Sequence, residues 1–297
     1  MSRIDEALRR SQGGAAVDLP TEKQLEVFAP AWTVTGAPET APAPAPTPIV
    51  TRGAPLRSGE PPAPDGMLRL STEWKDRLAA GGHGDPTLIE QFRRLAGTLH
   101  RAHRSEGLRS VMVTSALPGD GKTLTAVNLA LVLAESYRYN VLLIDADLRR
   151  PSIPSVVNLS DGGGLSEVLR ASGDQKLALV PIAPGLTLLP AGQPIANSLE
   201  ALTSPRMLQI LQEASLKYDL VILDAPPIGP TADARLITQM VGGTLFVVRA
   251  GCTQYTQVKN AIDTIGRDHI MGVVLNGVDK VSGGDPYYGE ARDPGRD

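Results

Sequence analysis

The stretch Val111-Met112-Val113-Thr114-Ser115-Ala116-Leu117-Pro118-Gly119-Asp120-Gly121-Lys122-Thr123-Leu124 decides the fold. Its first five residues are a short apolar and β-branched run, which reads as a buried strand. From Thr123 to Ser136 the spacing changes to that of a helix, with Leu124, Val127, Leu131 and Ala134 on one side. Between the two lies a tight glycine-containing loop. Gly119 and Gly121 let backbone N–H groups come close to phosphate oxygens, and the start of the helix adds a favourable field for an anion. Lys122 is placed to reach the β- and γ-phosphates of a nucleotide, and the Thr123 hydroxyl to ligate Mg²⁺. A strand, this loop and a helix in that order are the context that such a phosphate-binding loop requires.

Working outward, the same alternation continues. Val141–Ile144, Leu186–Leu189, Leu220–Leu223, Thr244–Val248 and Ile270–Leu275 read as strands. Leu165–Leu169, Ser204–Lys217, Ala232–Met240 and Gln254–Gly266 read as helices. Upstream, Asp85-Pro86 provides an N-cap and a first-turn proline for a helix of about five turns, whose stripe is Leu88, Phe92, Leu95, Leu99 and Ala102. Continuous apolar strands between amphipathic helices imply an α/β fold, a P-loop NTPase with a mostly parallel central sheet covered by helices on both faces.

Two further strand ends carry carboxylates. Leu142-Leu143-Ile144-Asp145-Ala146-Asp147-Leu148-Arg149-Arg150-Pro151 puts Asp145 and Asp147 at the edge where α/β sheets bind ligands. One carboxylate there could hold Mg²⁺ while the other accepts a proton. Val221-Ile222-Leu223-Asp224-Ala225-Pro226-Pro227 ends in a single Asp, and its prolines stop the strand. Asn276, in Val274-Leu275-Asn276-Gly277, reads equally well as a base-edge contact or as a turn residue.

Composition sets the domain boundaries. Residues 1–65 hold 11 of the 25 prolines, and nine of the thirteen residues from Gly36 to Pro48 are Pro or Ala. Such a stretch has too few apolar side chains to offset its ordering entropy. Residues 1–85 are therefore expected to be largely disordered, and residues 2–12 read either as a frayed, solvated terminus or as a short docking helix that folds on a partner. Residues 86–280 form the folded body, and 281–297 a flexible tail. A net charge of −3 argues against a basic nucleic-acid binder, so no specific nucleic-acid partner is expected, despite arginines between Arg93 and Arg109. One cysteine excludes an internal disulfide framework, and the four histidines show no metal-ligand spacing. No apolar run approaches the length of a membrane span, and no secretory signal opens the chain. A cytoplasmic protein is the expectation.

The three motifs together resemble the bacterial tyrosine kinases of capsular and exopolysaccharide synthesis, P-loop proteins of the MinD/ParA-like superfamily. That family has a Walker A loop, a Walker A′ strand ending Asp-x-Asp-x-Arg and a Walker B strand ending Asp-x-x-Pro. Here these are Ala116–Thr123, Asp145-Ala146-Asp147-Leu148-Arg149 and Asp224-Ala225-Pro226-Pro227. The resemblance covers about residues 86–280. It implies ATP and Mg²⁺ as cofactors, with Pro118, Gly119, Asp120, Gly121, Lys122, Thr123, Leu124 and Asn276 around the nucleotide. It implies Thr123, Asp147 and Asp224 at the metal, and Lys122, Asp145, Asp147 and Arg149 in catalysis, with Asp145 helping to deprotonate the tyrosine. It also implies autophosphorylation in the tail, where Tyr287 and Tyr288 are the acceptors. A membrane-embedded polysaccharide co-polymerase would act as activator and recruit the chain to the inner face of the plasma membrane. A homo-oligomer is a further implied partner, through a helix carrying Glu90 and Arg93.

The family's dense tyrosine cluster is reduced here to one pair, and Ala96 stands where its oligomerisation helix usually carries a second Arg. Three alternatives follow. The chain could be a kinase-inactive, ATP-binding regulatory subunit of the export machinery. It could be a spatial-positioning ATPase, although Leu117 stands where those carry a signature Lys. It could be a nucleic-acid or scaffold protein using its arginine face. Under the kinase reading, Lys122→Met is expected to abolish transfer and leave the fold intact.

Overall fold

A computed structural model of the chain describes residues 77–79, 85–157, 159, 163–171, 175–228 and 233–278, with the side chains of 233–235 left aside. The candidate docking helix, the Pro/Ala spacer and the tail with Tyr287 and Tyr288 lie outside the described residues.

In chain order the elements are α1 (Pro86–Glu106), β1 (Ser110–Ser115), α2 (Lys122–Tyr137), β2 (Val141–Asp145), α3 (Ile153–Val156), α4 (Leu165–Arg170), β3 (Val180–Ala183), β4 (Leu186–Leu189), α5 (Ser198–Leu202), α6 (Pro205–Lys217), β5 (Leu220–Asp224), α7 (Asp233–Thr238), β6 (Gly243–Arg249), α8 (Tyr255–Ile265) and β7 (Ile270–Asn276). The strands form one seven-stranded sheet in the order β3-β4-β2-β5-β1-β6-β7. Every pairing is parallel except β3 with β4. The expected α/β architecture is thus borne out, with one antiparallel edge that the sequence reading did not contain.

The central strands β1, β2 and β5 are buried along their whole length. Their side chains alternate between two cores, as a pleated strand requires. Val111, Val113, Val141, Leu143, Leu220 and Ile222 face a core shared with α1, α2 and α3. Met112, Leu142, Ile144, Val221 and Leu223 face a second core with α4, α5, α6 and α7. Helix α8 covers Phe246 and Val248 near the β7 edge. Helix α2 is wedged between the sheet and α1, so its residues from Thr125 to Ala134 are all buried.

Helix α1 starts as its sequence dictates: Asp85 Oδ1 accepts from Thr87 N at 2.8 Å, and Pro86 occupies the first turn. It ends at Gly107, which takes the left-handed conformation. The folded body, however, begins before residue 85. Leu78 is 0% exposed within the α1–α2 core. The buried Asn128 of α2 clamps its flanks, accepting from Ala79 N at 2.6 Å and donating to the Arg77 carbonyl at 2.9 Å. One amide side chain supplies both a donor and an acceptor to this short strap.

Candidate active site at the carboxyl edge of the sheet

Parallel register decides which residues meet. Strand β5 lies between β1 and β2, with Val113 opposite Asp224 and Asp145 opposite Asp224. The loop after β1 and the acidic ends of β2 and β5 therefore converge at one end of the sheet. That loop and the turns that follow β2 and β5 wall an open cleft of about 850 Å³, large enough for a nucleotide.

Lys122 is the centre of the site. Its Nζ lies 2.9 Å from Asp147 Oδ2 and 3.5 Å from Asp224 Oδ1. Thr123 Oγ1 donates to Asp224 Oδ2 at 2.6 Å and lies 2.8 Å from Ser152 Oγ. Burial works against the charge on Lys122, but Asp224 and Asp147 outweigh it and hold its pKa above the ordinary value. Burial pushes the Asp224 carboxyl up, against the pull of Lys122 and Thr123.

The structure brings Lys122, Thr123, Asp147, Arg149 and Asn276 to the cleft wall, with the loop residues Pro118, Gly119, Gly121 and Leu124. It places three expected residues, Asp120, Asp145 and Asp224, behind that wall. Asp145 is 0% exposed. Its oxygens accept from the backbone N–H groups of Asp147 at 3.3 Å and Ile153 at 3.2 Å. Burial, and then the neighbouring Asp224 carboxylate, push its pKa up to about 8. The base expected at 145 thus has no surface in the cleft; it anchors the turn that presents Asp147. Asp120 is likewise turned inward. Its Oδ2 accepts from Leu117 N at 3.1 Å and its Oδ1 from Thr253 Oγ1 at 2.6 Å, so its side chain braces the loop. Asn276 ends β7 and donates through Nδ2 to the Asp120 carbonyl at 2.9 Å. Gly121 sits directly beneath that amide: a Cβ there would fall 2.0 Å from Asn276 Nδ2, and φ is +96°. Arg149 donates through Nε to Ser198 Oγ at 2.7 Å.

Sequence reasoning missed Ser152, Thr253 and the Arg77 strap. Ser152 follows Pro151 without any spacing signal, and Thr253 stands 133 residues from the aspartate it contacts.

Comparisons with known proteins agree with this geometry. A family model described as ParA, NUBPL iron-transfer P-loop NTPase, matches residues 108–278, more than half of the chain. The tyrosine-protein kinase YwqD of Bacillus subtilis is 35% identical over 191 residues, which cover 63% of this chain and 80% of that protein. The chain belongs to the bacterial tyrosine-protein kinase family. The tyrosine-protein kinase wzc of Salmonella typhimurium is 32% identical over 218 residues, but these are 72% of this chain and only 30% of wzc. The chain therefore spans less than a third of that longer relative. The solved kinase domain of the Escherichia coli tyrosine kinase ETK is 34% identical and covers 68% of this chain and 80% of the domain, with a TM-score of 0.61. These relatives support the kinase reading over a kinase-inactive regulatory subunit. As a P-loop NTPase of this family, the protein uses a nucleotide. Among the described residues no helix is long and apolar enough to cross a membrane.

Proposed function

We propose that this protein transfers the γ-phosphoryl group of ATP to tyrosine hydroxyls, Tyr287 and Tyr288 of the tail among them, and that this cycle regulates capsular or exopolysaccharide polymerisation and export. The observation that carries the reading is the ammonium of Lys122 standing between Asp147 and Asp224 at the mouth of a phosphate-binding loop.

The donor set fits ATP with Mg²⁺. Thr123 Oγ1 and the carboxylates of Asp224 and Asp147 are hard oxygen donors within one small space. No group of three or more His, Cys, Asp or Glu among the described residues is arranged to hold a metal alone. That suits Mg²⁺, which takes one or two carboxylates together with nucleotide phosphates. Bound there, it would neutralise charge on the β- and γ-oxygens. Lys122 would exchange its carboxylate partners for phosphate oxygens, and the N–H groups around Gly119 and Gly121 would cradle the rest. Asp147, the carboxylate that lines the cleft, would take up the proton of a tyrosine hydroxyl entering beside Lys122. Asn276 would meet the base, and Arg149 would stabilise transferred charge. A membrane-embedded co-polymerase completes the proposal as activator and recruits the chain to the inner membrane face.

The test is phosphotyrosine mass spectrometry after incubation with Mg-ATP and the cytoplasmic part of the activator. Phosphate on Tyr287 or Tyr288 is expected, reduced about 10²-fold or more in Lys122→Met. Clear Mg-ATP binding without phosphotyrosine would favour the regulatory subunit instead.

A further inference from the structure

The turn that follows β2 is fixed in its backbone, which leaves one long side chain to be aimed. Asp147 accepts from Arg150 N through both its carbonyl and its Oδ1, at 3.2 Å each. Ile195 N donates to the Leu148 carbonyl at 2.9 Å, so the loop after β4 lies against the same turn. Arg149 leaves this turn for the cleft wall and is exposed. An arginine side chain left to itself samples many rotamers, and ordering it at the moment of binding costs affinity. Here it is not left to itself. Its Nε donates to Ser198 Oγ at 2.7 Å, and Ser198, the first residue of α5, is 0% exposed.

Ser198 is itself held from behind. The loop 190–197 that leads into it is tied to α4. Leu165 N and Ser166 N donate to the Pro190 and Ala191 carbonyls at 2.8 Å each. Glu167 Oε1 accepts from Gln193 N at 3.0 Å, and its Oε2 from Gly164 N at 2.6 Å. Burial pushes the Glu167 carboxyl up, but hydrogen bonds led by those of Gln193 and Gly164 outweigh it and hold its pKa below the ordinary value. The carboxylate therefore stays charged against the loop. Gly192 packs so closely on it, with φ of +79°, that a Cβ there would run into Glu167. A hydrogen bond to a surface side chain adds little to folding, so what the bond from Arg149 to Ser198 sets is direction. By taking the Nε proton it fixes the plane of the guanidinium at the cleft wall.

We propose that Ser198 is the positioning residue of Arg149: its anchored hydroxyl aims the guanidinium at the γ-phosphoryl group of the bound nucleotide, so that the cleft distinguishes a triphosphate from a diphosphate. The inference rests on the kinase reading only in taking a nucleotide as the occupant of the cleft. Ser198 is not among the residues that line the cleft and acts through Arg149 alone. Its signature is a loss confined to the terminal phosphate, present only while Arg149 is present. A serine that merely started α5 would, on removal, weaken the binding of both nucleotides alike or of neither.

The experiment uses the full chain with Mg²⁺ and measures, by titration calorimetry, the Kd of a non-hydrolysable ATP analogue and of ADP. Arg149→Gln should lower the preference for the analogue over ADP about tenfold. Ser198→Ala should lower it about fivefold and leave ADP affinity within about twofold. Ser198→Cys, close to serine in size but a weaker acceptor, should fall between the two. In the Arg149→Gln background Ser198→Ala should change nothing further, since the pair acts as one unit. Ser166→Ala removes the hydroxyl of an equally buried serine on α4 and should leave the preference unchanged. An unchanged preference in both Ser198 variants, with Arg149→Gln lowering it, overturns the proposal. So does an additive loss in the double variant, or a Ser166→Ala effect as large as that of Ser198→Ala; either makes Ser198 a packing residue. Full preference in Arg149→Gln overturns it too, by taking the γ-phosphate out of the reach of Arg149. No readout needs transfer to tyrosine, so an absence of phosphotyrosine would sink the kinase reading and leave these outcomes standing.

Discussion

Lys122 shows how much one side chain does in this fold. Read as a loop residue, it was expected to be replaceable without harm to the structure. In fact its side chain is only 9% exposed and neutralises two buried carboxylates. Lys122→Met should therefore remove transfer and also cost about 3 kcal/mol of stability, because it leaves buried charge uncompensated. Thermal unfolding of the variant beside wild type would check this, and an unchanged Tm would contradict the buried triad. Asp145 gives a pH prediction. Its carboxyl ordinarily titrates near 3.8 and is pushed up to about 8 in the fold. Between those values the folded nucleotide-free protein holds a proton that the unfolded chain has released, so stability falls as pH rises across that window. Asp145→Asn should flatten the fall in Tm between pH 5 and pH 8. Arg138 is the one described non-glycine residue with positive φ, at 56° in the C-cap of α2. Arg138→Gly should stabilise by about 1 kcal/mol, since glycine adopts that conformation without steric cost; a denaturant midpoint that does not rise would count against it. Of the site residues, Lys122 and Thr123 were legible from the glycine loop between a buried strand and a helix, and Asp147 and Asp224 from their place at or just past the end of a buried strand. The inward turn of Asp120 was not, because it depends on Thr253, brought near only once the sheet has assembled.

At the scale of elements, the phosphate loop is held from outside itself. Gly121 packs under Asn276, so the loop and the end of β7 fit only while residue 121 lacks a Cβ. Gly121→Ala should displace the Asn276 amide and weaken nucleotide binding at least tenfold by a Kd measurement, the combined cost of backbone strain and a close contact. The long elements α1, α2 and α6 and the central strands were readable from period and caps. Of the short ones, α4, α7 and β4 were also read, but α3, α5 and β3 were not. Helices α3 and α5, of four and five residues, are too brief to show a period. Strand β3, Val180–Ala183, contains Pro181, which argues against a strand in sequence. It is tolerated because β3 is an edge, where one row of N–H groups needs no partner.

At the scale of the whole molecule, the chain order matters less than the sheet order. Strands β1, β2 and β5 are far apart in sequence, but their parallel pairing gathers three sequence motifs at one edge. The strap before α1 is part of the same body, which composition alone did not suggest because glycines separate it from the helix. A chain beginning at Asp85 should lose about 2–5 kcal/mol relative to one beginning at Arg77, since it leaves the Leu78 site empty and Asn128 buried without its partners. Equal unfolding midpoints for the two would show the strap to be dispensable. The brace between Thr253 and Asp120 has a practical consequence. The residue before Thr253 is Cys252, the sole cysteine of the chain and an exposed one. A thiol-reactive fluorophore would attach at that single point, one residue from a direct contact with the nucleotide loop. The natural sequence thus comes ready for a spectroscopic reporter of loop state, with no engineered labelling position.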